Sequence, residues 1–262
     1  MGYTYYGVGN GLKLPHNIWP NSDLEMMQAT VPNYIDKEPF HIYYMTVSGH
    51  TEYNWGGNNM ARWNRATVDA ANLPYSEGVK AYLACNLELD KAIGYLLEQL
   101  EAAGIAENTV IALSADHYPY GLDKYDGMNE MAGHKLDTTF EMYKTAFLLW
   151  SGSMTEPVVI DRPASSLDIL PTLSNLMGNT FDSRLMMGTD LLSDSPPLII
   201  FKSYSWISAY GRYDYDKKLF TPNPGVTGLP DNYVDTVNDV VAQKFTMSRL
   251  ILEQNYYKKI LG

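Results

Sequence analysis

A chain of 262 residues with 45% hydrophobic and 19% charged residues has the composition of a soluble globular protein, with length for one substantial core and a small second domain. Thirty acidic against 19 basic residues give a formal charge of −11, a field that repels phosphate backbones and anionic membrane surfaces, so no nucleic acid partner is expected. No stretch reaches the roughly 18–20 consecutive apolar residues that span a bilayer, and a lone cysteine, Cys85, excludes an internal disulfide or a CxxC metal site.

The opening GYTYYGVGNG has the tyrosines and glycines of a fold interior rather than of a solvated tail, which predicts a longer parent chain. Ser22 followed three residues later by Glu25 has the capping-box form and starts a helix expected over 23–35, with Pro32 near its last turn or at a kink. The aromatic and β-branched run from Phe40 to Val47, bounded by Pro39 and Gly49, predicts a strand leading directly into His50. The Gly- and Asn-rich stretch 54–72 shows no sustained periodicity and is expected to be a loop. A long helix follows, capped by Ser76 and ended by Gly104, with Val79, Leu83, Leu87, Ile93, Leu96 and Leu100 on its apolar face and Cys85 as a buried structural thiol. A strand over 109–113 comes next, and strand, long helix, strand in that order predicts a βαβ crossover with parallel strands. A polar excursion over 118–144 separates it from a third strand, 145–150. The stretch SSLDILPTLSNLMG is a helix with Ser166 or Asp168 near its cap and Gly178 as its stop. Beyond Asp194 alternating, tyrosine-rich segments predict an antiparallel hairpin or meander, then a loop at 223–232 and a closing helix.

In open α/β sheets ligands collect beyond the carboxyl ends of parallel strands. That edge would gather His50 from one strand and Asp116 with His117 from another, and a neutral imidazole with an ionised carboxylate suits a divalent cation. Pro119 and Gly121 fit a bend that turns both side chains the same way. Spacing alone leaves alternatives open: a solvated Asp-His pair, a hydrogen-bonded loop histidine at 50, a polar loop residue at His134. His16 and His41 give no signal. A Ser-His-Asp hydrolase drawn from Ser48, His50 and Asp116 lacks the G-x-S-x-G elbow, and neither a G-x-x-x-x-G-K-[ST] loop nor a strand-to-helix G-x-G-x-x-G is present. The GVGNG cluster is a turn.

The segments WPNSDLEMMQATVPNYI, PFHIYYMTVSGHTEYN, YLACNLELDKAIGYLLEQLEAAGIAENTVIALSADHYPYG and SSLDILPTLSNLMG resemble the extracellular catalytic domain of lipoteichoic acid synthase-like proteins, in the sulfatase and alkaline phosphatase superfamily. The resemblance implies an α/β, alkaline-phosphatase-like fold with a largely parallel sheet flanked by helices over 1–194, and a small C-terminal antiparallel sheet plus helix over 195–262. It implies one divalent metal ion, Mn2+ or Mg2+ before Zn2+ or Ca2+, with Asp116 and His117 as ligands. His50 would contact the anionic ester and share in proton transfer, and His134 would be a further polar contact to substrate. The implied chemistry is transfer or hydrolysis of a phosphoryl or sulfuryl ester, including phosphoglycerol transfer from a lipid-linked donor, at the outer face of the membrane.

The departures from the family pattern matter as much. In that family a threonine nucleophile and a glutamate ligand precede the strand carrying the first histidine, and no segment here matches them. Thr46 and Thr51 lie in a stretch that matches a later part of the pattern, and no C/S-x-P-x-R signature surrounds Cys85. The chain is therefore expected to carry half a site, as the C-terminal part of a larger membrane-anchored enzyme. By itself it is expected to be inactive and to self-associate through sheet edges its other half would cover. A strict sulfuric ester hydrolase and a non-catalytic binding or structural module are the alternatives.

Overall fold

The computed structural model describes residues 2–122 and 126–261 of the chain, which divides into two compact units, residues 1–156 and 157–262. Residues 123–125, inside the expected polar excursion, lie outside the described residues.

In the first unit two short pairing segments, β1 (Gly7–Val8) and β2 (Gly11–Leu12), precede α1 (Asp23–Thr30). Ser22 caps α1 by accepting from the Glu25 amide at 3.0 Å, as the sequence predicts, but the box does not close. The Glu25 carboxylate turns outward to the His16 amide (3.2 Å) and His16 Nδ1 (2.5 Å). The expected helix shortens because Pro32 has no N–H to continue the ladder, and Val31–Asn33 tightens into a 3-10 turn.

Two expectations are corrected next. No strand forms over 40–47 among the described residues: a strand needs a ladder partner, and the Val47 and Ser48 amides go to the Asp23 carboxylate instead, at 2.8 and 3.1 Å. Nor is 54–72 a loop throughout, for α2 (Asn59–Ala70) is capped by the Asn58 side chain, which accepts from the Ala61 amide at 2.9 Å. Its Met60, Ala61 and Val68 fall on one face and pack against Ala81, Ala84 and Cys85 of α3 (Glu77–Ala102).

Helix α3 is the spine of this unit. Ser76 caps it, and it ends where Gly104 takes a left-handed φ of 70°, a conformation costly for any residue with a Cβ. The buried stripe follows expectation in part: Val79, Leu96 and Leu100 are buried as predicted, joined by Ala81, Ala84, Cys85, Glu88 and Ala92, while Leu83, Leu87 and Ile93 sit half-buried on its shoulders. Small side chains let α2 approach α3 closely, so the wider residues seal the rim. Toward its C-terminal end Ala92, Leu96 and Leu100 meet Met27 and Val31, with Ile111 and Trp150 alongside. Full burial of side chains such as Leu100 and Met27 is worth about 1.5–3 kcal/mol each.

Strand β3 (Val110–Ser114) follows, then α4 (Asp126–Ala132), then β4 (Phe147–Ser151). β3 and β4 pair antiparallel, from Val110↔Ser151 to Ser114↔Phe147. The expected βαβ crossover is thus absent among the described residues, its first strand having no ladder.

In the second unit α5 (Ile169–Leu176) follows a 3-10 turn that carries a closed capping box between Ser165 and Asp168. Strands β5 (Leu198–Ile200), β6 (Trp206–Ser208), β7 (Gly211–Asp214) and β8 (Leu219–Pro222) form the expected antiparallel meander in sequential order. Helix α6 (Tyr233–Glu253) covers it, and α7 (Tyr256–Leu261) closes the chain. Trp206, fully buried, stacks on Tyr213 and donates from Nε1 to Asn238 of α6 at 2.9 Å. The small subdomain expected over 195–262 lies inside this unit.

Candidate functional site

The Asp116–His117 pair stands just past the end of β3, where the ladder to β4 stops and the backbone is released to bend. His117 Nδ1 lies 2.8 Å from the Tyr118 carbonyl oxygen. Because a carbonyl only accepts, the neutral ring carries its proton on Nδ1, which leaves the Nε2 lone pair free. That Nε2 faces Asp116 Oδ2 at 3.5 Å. A carboxylate oxygen and a free imidazole lone pair facing each other at this separation form a donor set that one divalent cation would bridge, with a backbone carbonyl fixing the tautomer from behind. The Asp116 side chain is 88% exposed and that of His117 44%, so both are open to a ligand from solvent. Among the described residues no group of three or more His, Cys, Asp and Glu side chains is arranged to hold a metal ion.

His50 comes from a different segment. Its amide closes a turn onto the Val47 carbonyl at 2.9 Å, and its own carbonyl accepts from Asn58 Nδ2 at 2.8 Å. The exposed imidazole lies edge-on to Trp19, with ring centroids 5.3 Å apart, and its Nδ1 is 3.3 Å from the Thr51 carbonyl.

The two segments abut. A Cβ built on Gly121 would sit 3.1 Å from Thr51 Cβ and 3.0 Å from Tyr53 Cε2, so the loop after His117 lies in close contact with the residues after His50 and a larger residue here would crowd them. Burial foremost raises the Tyr53 hydroxyl above its ordinary range, with the nearby Cys85, Tyr82, Tyr120 and Asp116 adding in that order. Tyr53 in turn donates to the Gly49 carbonyl at 3.2 Å. The Cys85 thiol beneath is pushed up to about 12 by burial, which fits the expected structural role and leaves it inert.

His134 lies beyond the end of α4, where Nε2 is 3.3 Å from Glu141 Oε2 and Nδ1 is 3.0 Å from the Ala132 carbonyl. Its region reaches the Asp116 loop through aromatic contacts, Tyr143 edge-on to Tyr118 at 5.5 Å and Tyr118 to Tyr120 at 6.2 Å.

A polar cluster around Glu88 joins the start of α1 to α2 and α3. Ser22 Oγ donates to Glu88 Oε1 at 2.5 Å, Asn64 Nδ2 donates to Glu88 Oε2 at 3.0 Å, and Lys91 Nζ donates to Asn64 Oδ1. Sequence reasoning missed Asn58 and Trp19. For Asn58 the signal was present, an N-cap residue ahead of Met60, Ala61 and Val68 at helical spacing, masked by the neighbouring glycines and asparagines. For Trp19 there was none, since it meets His50 from 31 positions away in the chain.

Residues 4–179, more than half of the chain, match the family model described as Sulfatase. The chain belongs to the sulfatase family. The lipoteichoic acid synthase of Staphylococcus saprophyticus is 26% identical over 198 residues, covering 71% of this chain and 29% of that protein. The lipoteichoic acid synthase of Staphylococcus aureus is 23% identical over 198 residues, covering 72% and 29%. Against the crystal structure of the lipoteichoic acid synthase LtaP from Listeria monocytogenes the TM-score is 0.68 at 19% identity, over 88% of this chain and 59% of that one. The shared fold is thus the α/β, alkaline-phosphatase-like one expected from the sequence. This sulfatase-family chain spans 29% of the length of the curated relatives it matches. No helix among the described residues is long and apolar enough to cross a membrane.

Proposed function

We propose that this chain supplies part of the catalytic site of a metal-dependent enzyme that transfers or hydrolyses phosphoryl or sulfuryl esters, with phosphoglycerol transfer from a lipid-linked donor as the leading reaction. The observation that carries the reading is the pairing of Asp116 Oδ2 with an Nε2 whose lone pair the Tyr118 carbonyl leaves free, at 3.5 Å, inside the stretch that matches the sulfatase family.

Asp116 and His117 would hold one divalent ion, Mn2+ or Mg2+ before Zn2+ or Ca2+. When bound, that ion polarises the ester oxygens and offsets a chain charge of −11 that would otherwise repel an anionic substrate. The exposed His50 imidazole, edge-on to Trp19, would in its imidazolium form donate to a phosphoryl or sulfuryl oxygen and hand that proton to the leaving-group oxygen. His134 offers a further polar contact in exchange for its bond to Glu141. The nucleophile and remaining ligands are assigned to a preceding segment of a longer parent, a reading supported by the share of the relatives' length that this chain spans. That parent is assigned to the outer face of the cell membrane. A strict sulfuric ester hydrolase is the second reading, favoured by the family description itself.

Calorimetric titration with Mn2+ tests this: weak binding by the chain, lost in Asp116→Ala and in His117→Ala, is the expected result. An unaltered binding heat in both variants sinks the ligand assignment. Robust turnover of a phosphodiester or sulfate ester by the isolated chain sinks the assignment of the nucleophile to another segment.

A further inference from the structure

The Asp23 carboxylate is 1% exposed, and it does not serve its own helix. Ser22 already caps α1, so an acidic side chain in the first turn would ordinarily face solvent and interact weakly with the helix dipole. Asp23 instead reaches across to a segment 24 and 25 positions away. Oδ1 accepts from the Val47 amide at 2.8 Å, Oδ2 accepts from the Ser48 amide at 3.1 Å, and the Asp23 amide donates back to Ser48 Oγ at 2.9 Å.

Two consecutive amides aimed at one carboxylate force a bend, and the turn that follows is saturated with hydrogen bonds. The Val47 carbonyl takes the His50 amide, the Ser48 and His50 carbonyls take Asn58 Nδ2, and the Gly49 carbonyl takes the Tyr53 hydroxyl. Burying a carboxylate is costly unless its oxygens are satisfied, and here the groups that satisfy them sit two and three residues before the site histidine. Burial foremost, with the Glu88 charge adding, raises the Asp23 pKa, while the bonds from Val47 and Ser48 hold it down.

We infer that Asp23 is a positioning residue for His50: by gripping the Val47 and Ser48 amides it sets the turn from which the imidazole is presented to substrate. The inference rests on the reading of His50 as a substrate contact, and it adds a second layer to that site which touches neither substrate nor ion.

The test compares Asp23→Asn, Ser48→Ala and Ser22→Ala in the full chain by NMR. Asparagine keeps one acceptor oxygen and turns an NH2 toward the other amide. Exchange of the Val47 or Ser48 amide should therefore rise about tenfold relative to the amides of β3, and the His50 imidazole resonances should move. Ser48→Ala removes one of the three bonds and should move the same resonances less. Ser22→Ala strips the helix cap and the Glu88 contact, so it lowers Tm, yet it should leave His50 in place. Unmoved His50 resonances in Asp23→Asn, or equal movement in Asp23→Asn and Ser22→Ala, overturn the inference. Should Asp23→Asn fail to fold, Ser48→Ala against Ser22→Ala decides by the same criterion. A second arm titrates inorganic phosphate with diamagnetic Mg2+ present. Perturbation of His50 in the wild type, weakened about tenfold in Asp23→Asn, is the expected result. No phosphate response in the wild type rejects His50 as a substrate contact, and with it the presentation of the imidazole to substrate, whatever the first arm returns; that failure is told apart from a failure of the Asp23 coupling, which the first arm alone reads.

Discussion

The two segments that carry the site are held in opposite ways. The turn leading to His50 is tied down by partners from three other positions, the buried Asp23 and Asn58 and the half-buried Tyr53, while Asp116 and His117 are held from their own loop, through the Tyr118 carbonyl and the Tyr120 ring. The contrast matches the chemistry proposed for each. A group that donates to a substrate oxygen gains from being fixed in advance, because orientation entropy is then spent during folding rather than during reaction. A ligand pair gains from openness, because the ion itself supplies the organising force and must enter from solvent.

The largest expected effect on this contrast comes from Asn58→Ala. That change removes the α2 cap and both bonds to the His50 turn from a fully buried site, and it should cost about 2–4 kcal/mol in urea unfolding at unchanged m. Ser22→Ala should cost about 1–3 kcal/mol by the same measurement, through the lost cap and the Glu88 carboxylate left short of a donor.

A pH series sharpens the comparison further. The folded pKa of Asp23 is raised above its unfolded value of 3.8, so across the window above 3.8 the native state keeps a proton that the unfolded state has lost. Stability from this group is therefore full below that window and falls as pH rises through it, by up to about 1.4 kcal/mol per pH unit. Asp23→Asn should remove that slope from a plot of unfolding free energy against pH, and an identical slope in both proteins breaks the assignment. At the small end, Asp116→Ala and His117→Ala should each change stability by no more than about 0.5 kcal/mol, since both side chains are solvent-accessible, while eliminating the Mn2+ heat. A costly Asp116→Ala would erase the distinction between the two segments.

Much of the architecture was legible in the sequence because it depends on local rules. Ser22 and Ser76 as caps, Gly104 as a stop, and the alternation that builds the β5–β8 meander act over a few residues and need no partner from elsewhere. The candidate residues His50, Asp116 and His117 were named from their positions after apolar runs and from family resemblance. The failures are equally local in cause. The 40–47 run has the residues of a strand, but strand identity requires a ladder, and its last amide goes to a carboxylate instead. The 54–72 stretch gives no sustained apolar period because the buried face of α2 is narrow and mixed, Met60, Ala61 and Val68 with the polar Asn64, set against the alanines and cysteine of α3.

By itself, then, the sequence determined where α1, α3, α5 and α6 begin and where α3 and α5 end, that the segments after Asp194 make an antiparallel meander followed by a helix, and which side chains are chemically able to hold an ion or contact an anion. Only the tertiary structure decided that Asp23 serves His50 rather than its own helix, that the loop at Gly121 lies against the residues after His50, and that the Tyr118 carbonyl leaves the His117 Nε2 lone pair beside Asp116. The reason is distance along the chain: caps and alternation are encoded within one or two turns, whereas a carboxylate finds amides 24 residues away only after α1 and α3 have packed.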